Sequence, residues 1–329
     1  MTTPNLTLHP GDTLDGYELG DVVAISGMAT VFRARDLKSG LQVAIKVPHP
    51  EVESDPTMFD RFRREEEIGT RIDHPGVMKV FANPDRSQVY MVMEWLEGRL
   101  LRQVLNDEKR LPAERATKLM VGICEALEHV HTHGVAHRDL KPENIMVSDG
   151  DEIHLIDFGI AASVGARRLT FAHFSQSMGT PDYISPEQVQ GKRGDARSDL
   201  YSLGVILFEM LTGNVPFSGA NPFTVMNARV INDPPSARKL RPEISPELQE
   251  ILYRALERDP HNRYSTAHEF QWDLEHQDQV GVEEGRSKVS GFSGRSPRGV
   301  LNKKAMLYLG IALVPIALFV LMLMLARHP

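Results

Sequence analysis

The sequence predicts an α+β fold, strand-rich first and mainly helical afterwards, followed by one C-terminal transmembrane helix. Three observations predict it. Residues 17–47 contain alternating, β-branched runs of strand type. Ala113–Gly134 and Asp199–Thr212 place apolar residues at helical spacing. Ala305–Ala326 runs for 22 residues without a charge. With 329 residues and 41% apolar composition, the chain can hold one large domain and an appendage. Its single cysteine, Cys124, lies in the helical run Arg115–His133, where a small buried hydrophobe is the simplest reading. A net charge of −7 speaks against a nucleic-acid binder, whose footprint is a strong basic excess.

In chain order, Tyr17–Val23 reads as the first strand, and Phe32–Arg35 and Gln42–Val47 as two more around the turn Lys38-Ser39-Gly40. Met58–Ile72 reads as a helix, and Ile153–Ile156 as a short apolar strand. His276–Lys304 is rich in Gly and Ser and basic at its end, the composition of a flexible linker. The uncharged run Ala305–Ala326 would extend about 33 Å as a helix, enough for a hydrocarbon core of about 30 Å. Six Lys/Arg precede it within about 20 residues and only Arg327 follows, which places the preceding domain in the cytoplasm. Met1–Gly20 is polar, broken by Pro4 and Pro10, and carries no signal-peptide pattern. The expectation is a single-pass, tail-anchored protein of the cell membrane with a three-residue tail, 327–329.

Four motifs then carry the chemistry. His137-Arg138-Asp139-Leu140-Lys141-Pro142-Glu143-Asn144 fits the pattern H-R-D-L-x-x-x-N at every fixed position. Val43-Ala44-Ile45-Lys46 precedes it; Asp157-Phe158-Gly159 and Ser185-Pro186-Glu187 follow. A lone Asp or Asn more often caps a helix or forms a turn. Four motifs in this order have no such explanation. The chain resembles the eukaryotic-like serine/threonine protein kinases, most closely the bacterial ones, over about residues 17–275.

That resemblance implies a bilobal protein kinase-like fold. After an N-terminal extension (1–16) come a β-rich N-lobe (17–93), a hinge (94–98) and an α-rich C-lobe (99–275). It implies ATP and Mg2+ as cofactors, with Mn2+ as the alternative cation, and proteins as substrates; homodimerisation is left open. Asp139 would accept the proton of the acceptor hydroxyl, and Lys141 would lie near the γ-phosphate. Lys46 would grip the α- and β-phosphates with Glu65 as its partner, Glu66 and Glu67 being close rivals. Asn144 and Asp157 would supply the oxygen ligands that hard Mg2+ prefers. Val23, Val31 and Ala44 would roof the adenine, Met146 would floor it, Glu94-Trp95-Leu96 would form the hinge, and Met93 would gate the back pocket. Thr180 belongs to the end of the activation segment, with Ser185 replacing the family's alanine. Glu187 is expected to pair with Arg263, and Asp199 to brace the catalytic loop.

The chain departs from the family in two places. The nucleotide loop G-x-G-x-x-G-x-V maps onto Ala24-Ile25-Ser26-Gly27-Met28-Ala29-Thr30-Val31, so all three signature glycines are replaced. If Ala24 and Ser26 had to be left-handed, each would cost roughly 1–2 kcal/mol. Weakened ATP binding is therefore expected, to be tightened by Ala24→Gly with Ser26→Gly. The second departure concerns the activation segment: Arg138, directly before Asp139, is of the kind that docks that segment when it is phosphorylated. The hydroxyls available to it are Thr170, Ser175 and Ser177, whereas Ala172 and Phe174 occupy the places where bacterial relatives often carry threonine. Two rival functions fit the sequence less well than a protein kinase. A pseudokinase acting as a membrane-tethered, nucleotide-sensitive docking module has only the Ala24/Ser26 loop in its favour. A small-molecule kinase is disfavoured by Lys141 and Gly179–Glu187, which match peptide presentation.

Overall fold

The computed structural model describes residues 8–157 and 182–282. Its N-terminal part is an antiparallel sheet of six strands in the order β1-β2-β3-β4-β6-β5: Thr13–Leu14, Tyr17–Ile25, Ala29–Asp36, Gln42–Pro48, Met91–Glu94 and Val80–Phe81 respectively. Alternation along the strands sorts side chains onto two faces. Val43, Ile45, Tyr90 and Val92 join Leu14, Leu19 and Phe32 on one side. Ala44, Met91 and Met93 join Val52, Phe62, Met78 and Val80 on the other. That second face is covered by helices α1 (Pro50–Ser54), which carries Val52, and α2 (Pro56–Gly69), which carries Phe62. Asp55 caps α2 by accepting from the amides of Thr57 and Met58. Gly69 meets the sheet so closely that a Cβ there would lie 2.3 Å from Val80.

The C-terminal part is helical. α3 (Leu101–Glu108) and α4 (Ala113–Thr132) precede a loop, a single 3-10 turn at Pro142–Asn144, and the short strands β8 (Ile145–Val147) and β9 (Ile153–Leu155). With β7 (Arg99–Leu100) these make a three-stranded sheet, β7-β8-β9. Among the described residues six further α-helices follow: α5 (Pro186–Val189), α6 (Ala196–Thr212), α7 (Pro222–Ile231), α8 (Ala237–Leu240), α9 (Pro246–Ala255) and α10 (Ala267–Glu275). α6 is buried on every side from Ser198 to Thr212, as expected of a helix that runs through a core rather than over it. Gly98, between the two parts, has φ +148, and a Cβ there would stand 2.5 Å from the Val147 carbonyl oxygen. Only glycine lets the connection pass so close to β8.

Three expectations are corrected. The single N-lobe helix expected at Met58–Ile72 is α2, at Pro56–Gly69, and it is preceded by a second, short helix α1 that Pro50 starts. The segment expected to be a nucleotide loop is largely strand: β2 runs to Ile25, β3 begins at Ala29, and only Ser26–Met28 form the turn. The linker expected from His276 begins later, since Gln277–Gln279 form a 3-10 turn and Val280 packs against the C-lobe core. Among the described residues no helix is long and apolar enough to cross a membrane. The expected span at 305–326, the linker beyond Val282, Phe158, Gly159, Thr170, Ser175, Ser177 and Thr180 lie outside the described residues.

Candidate active site

Lys46 lies on β4, and a buried ammonium requires partners. Its Nζ donates to Glu65 Oε1 at 2.6 Å and to Asp157 Oδ1 at 2.7 Å. The choice among three consecutive glutamates is thereby made: Glu66 pairs with Arg86, and Glu67 is exposed. Burial alone would depress the Lys46 ammonium, but the two carboxylates override it and push the group above the ordinary lysine range. For Asp157 burial acts upward, and Lys46 outweighs it, holding the carboxyl well below the usual aspartate value.

The pairing of β8 with β9 brings Asn144 and Asp157 together. Ile145 lies opposite Leu155, and the Ile156 amide donates to the Asn144 carbonyl at 3.0 Å. Asn144 Nδ2 donates to the Asp139 carbonyl at 2.8 Å and to Asp139 Oδ2 at 3.3 Å. The Asn144 amide oxygen and the Asp157 carboxylate are oxygen donors of the kind a hard divalent cation takes. Lys141 Nζ donates to Asp139 Oδ2 at 2.7 Å. The Asp139 side chain is 51% exposed, open to an incoming hydroxyl.

Arg138 and Asp157 both have left-handed backbones, at φ +64 and +60. Such positions cost of order 1–3 kcal/mol each and persist only where the surroundings over-determine them. For Arg138 that role falls to Asp199, fully buried on α6. Asp199 accepts from the Arg138 amide at 2.6 Å, from the His137 amide at 2.8 Å, and contacts His131 Nε2 at 2.8 Å. A second buried pair ties α5 to the base of the C-lobe: Arg263 Nη1 and Nη2 grip Glu187 Oε1 and Oε2 at 2.8 and 2.7 Å. Gln188 Nε2 donates to the Arg138 carbonyl at 3.2 Å, joining the same segment to the catalytic loop.

Of the expected adenine wall, Val31, Ala44, Met93 and Leu96 share one apolar cluster. Val23 is outside it, 47% exposed on β2, and Met146 is half-buried on β8. At the hinge, the Glu94 amide donates to the Lys79 carbonyl at 2.9 Å, and Arg33 lies over the Trp95 ring at 4.9 Å.

The turn between β2 and β3 overturns the strain expected of it. Neither Ala24 nor Ser26 has a positive φ, and Gly27 has neither a positive φ nor a neighbour that a Cβ would meet. Ser26 closes the turn instead. Its Oγ accepts from Ala29 N at 3.0 Å and Met28 N at 3.3 Å, and its amide donates to the Ala29 carbonyl at 2.9 Å. His49 pins the far side, its amide donating to the Met28 carbonyl at 2.9 Å. Glycine at 24 and 26 would relieve no left-handed strain and would loosen the turn by roughly 0.5–1 kcal/mol per site. Calorimetric titration of Ala24→Gly/Ser26→Gly should show ATP affinity unchanged or a few-fold weaker. Tenfold tightening would contradict this account.

The protein kinase domain model matches residues 17–274. The chain belongs to the protein kinase family. This kinase chain is 39% identical over 264 residues to the probable serine/threonine-protein kinase SCO3848 of Streptomyces coelicolor, covering 79% of this chain and 39% of that one. It is 38% identical over 281 residues to serine/threonine-protein kinase PknB of Mycobacterium tuberculosis, covering 83% and 44%. It thus spans less than half the length of these curated relatives. Among solved structures, the PknI kinase domain of Mycobacterium tuberculosis superposes with a TM-score of 0.65 at 26% identity, covering 83% of this chain and all of that one. Rad53 1–466 in complex with AMP-PNP gives 0.63 at 26% identity, covering 78% and 64%.

Sequence reasoning about the kinase domain missed one polar cluster beside the catalytic loop. Arg102 on α3 donates to Glu143 Oε1 at 2.8 Å, to Glu209 Oε1 at 2.7 Å and to the Tyr183 hydroxyl. Tyr183 in turn donates to Glu209 Oε2 at 2.5 Å. The four residues span more than a hundred positions, so no local pattern joins them. The one available signal was Glu143, a charge within the catalytic octet itself. Gln188 and His131 were missed for the same reason.

Proposed function

We propose that this chain is a serine/threonine protein kinase that transfers the γ-phosphoryl group of Mg-ATP to serine and threonine hydroxyls of proteins. The observation that carries the reading is the pair of contacts Lys46–Glu65 at 2.6 Å and Lys141–Asp139 at 2.7 Å, with Asp157 at 2.7 Å from Lys46. Phosphoryl transfer needs positioning and charge neutralisation more than covalent chemistry. Lys46, oriented by Glu65, neutralises the α- and β-phosphates. Lys141, bonded to Asp139 at 2.7 Å, neutralises charge on the transferred group. Asp139 takes a hydrogen bond from the acceptor hydroxyl, aligns it for attack and receives its proton as the new P–O bond forms and ADP leaves. Asn144 and Asp157 are the residues that would hold Mg2+, which when bound neutralises charge on the phosphate oxygens. Val31, Ala44, Met93 and Leu96 offer the adenine its apolar wall.

The reading extends to the membrane. The uncharged run Ala305–Ala326 and the basic residues before it support one span with the kinase domain on the cytoplasmic side. One preparation tests both parts. Carbonate-washed membranes containing the chain are incubated with Mg-ATP and peptides bearing serine, threonine or tyrosine as sole acceptor. Phosphate on serine and threonine, retained by the washed membrane fraction and lost with EDTA, is expected. Tyrosine-only transfer would overturn the substrate class, and release of the chain by carbonate would overturn the span.

A further inference from the structure

Helix α2 carries Glu65 to Lys46, yet little apolar surface holds it there. Of its fourteen residues only Phe62 and Gly69 are buried. A helix so lightly anchored can rotate or lift, and either motion would take Glu65 off Lys46. The residue next to Glu65 supplies a second tie. Glu66 accepts a two-pronged bond from Arg86, through Nη1 to Oε1 and through Nη2 to Oε2, the latter at 2.9 Å. Both side chains are largely enclosed, at 14% and 13% exposure. A forked guanidinium–carboxylate pair fixes angle as well as distance, which a single contact to an ammonium does not.

Arg86 is itself held. Its Nη1 also donates to the Tyr90 carbonyl at 2.5 Å, and Tyr90 is fully buried against the sheet. The segment around it is locked from the N-terminal hairpin. Asp15, left-handed at φ 47, accepts from the Ser87 amide at 2.8 Å, the Ser87 hydroxyl at 3.1 Å and the Tyr90 hydroxyl at 3.0 Å. Asn83 Nδ2 donates to the same Tyr90 oxygen at 2.7 Å. A continuous polar path therefore runs from the turn after β1, through the β5–β6 connection, to the α2 residue adjoining Glu65.

We propose that the Arg86–Glu66 fork is a positioning device for phosphoryl transfer: it fixes the rotation of α2 so that Glu65 meets Lys46, with Asp15 holding the segment that presents Arg86. The inference rests on the kinase reading above. Arg86 touches no reacting atom and acts through α2.

The test uses the full-length chain and two readouts. In steady-state peptide phosphorylation, Arg86→Ala and Glu66→Ala should each lower kcat about tenfold while the peptide KM stays within twofold. The double variant should be no worse than either single one. The charge exchange Arg86→Glu/Glu66→Arg should recover at least a third of wild-type kcat. Lys79→Ala, which removes an exposed pair with Asp73, should leave activity unchanged. The second readout is hydrogen exchange of residues 56–69, which should speed at least fivefold in Arg86→Ala and return in the exchange variant, with α4 unchanged. Wild-type kcat and unchanged exchange in Arg86→Ala would overturn the proposal. So would a loss that the charge exchange does not repair, since a purely structural role predicts that. If wild type itself transfers no phosphate, the kinase reading fails, and hydrogen exchange still decides whether the fork holds α2.

Discussion

Asp139→Asn should lower phosphoryl transfer by about 10²–10⁴-fold at saturating Mg-ATP, the usual contribution of a positioned general base. The substitution keeps size and polarity. Asn at this position can still accept from Lys141 Nζ and Asn144 Nδ2, which now bond Asp139 Oδ2 at 2.7 and 3.3 Å. What it removes is the negative charge that, in the proposed mechanism, draws in and accepts the hydroxyl proton. The side chain is half exposed, so the fold should lose little, and nucleotide binding should persist because Lys46, Glu65 and Asp157 are untouched. Peptide phosphorylation and ATP titration on the same preparation check this. Activity above a tenth of wild type would remove Asp139 from the chemistry.

Arg263→Ala should destabilise the domain by about 3–5 kcal/mol, the cost of stranding one member of a buried ion pair. All five guanidinium donors are engaged: Nε with the Glu257 carbonyl, Nη1 with Glu187 and the Arg197 carbonyl, Nη2 with Glu187 and the Arg258 carbonyl. Removing them leaves the Glu187 carboxylate, 8% exposed, with no cation beside it among the described residues, held by the Ser198 hydroxyl and its own backbone amide. Lysine at 263 should recover a minor part, since it cannot fork. The pair also sets a pH dependence. Burial pushes the Glu187 carboxyl up, but Arg263 outweighs it and holds the group below its ordinary value near 4.5. A depressed folded pKa stabilises above the unfolded value, and that stabilisation is lost as pH falls from about 4.5 through the folded value. Urea unfolding from pH 7 to 3 should show this slope in wild type and a shallower one in Glu187→Gln. A loss below 1 kcal/mol in Arg263→Ala would mean that the pair does not hold the C-lobe.

How much of this was legible in the sequence depends on how far each interaction reaches. Asp139, Lys141 and Asn144 sit within one octet, and Lys46 and Asp157 lie in or just after apolar strand runs, so the motifs that carry the family resemblance singled them out. Glu65 could not be separated from Glu66 and Glu67, because neighbours on a helix differ by about 100° in direction and only the placed helix shows which one faces β4. The partners of Asp199 and Arg86 were silent, being set by tertiary packing across tens of residues. The nucleotide turn differs from its sequence expectation for another reason. Missing glycines imply strain only if the turn needs left-handed residues, whereas Ser26 builds it without a positive φ and with its own hydroxyl. The helical core was plain because α4 and α6 are long, whereas α1 and β5, five and two residues long, give no period to read.

The central claim is that these residues carry out transfer rather than hold nucleotide for docking. A single-turnover rapid-quench experiment tests it most directly, with full-length chain in excess over γ-labelled Mg-ATP and a saturating serine peptide. The account predicts labelled phosphopeptide and ADP appearing together in equal amounts until the nucleotide is consumed. Nucleotide that binds fully and is recovered intact, with no phosphopeptide formed, would contradict it.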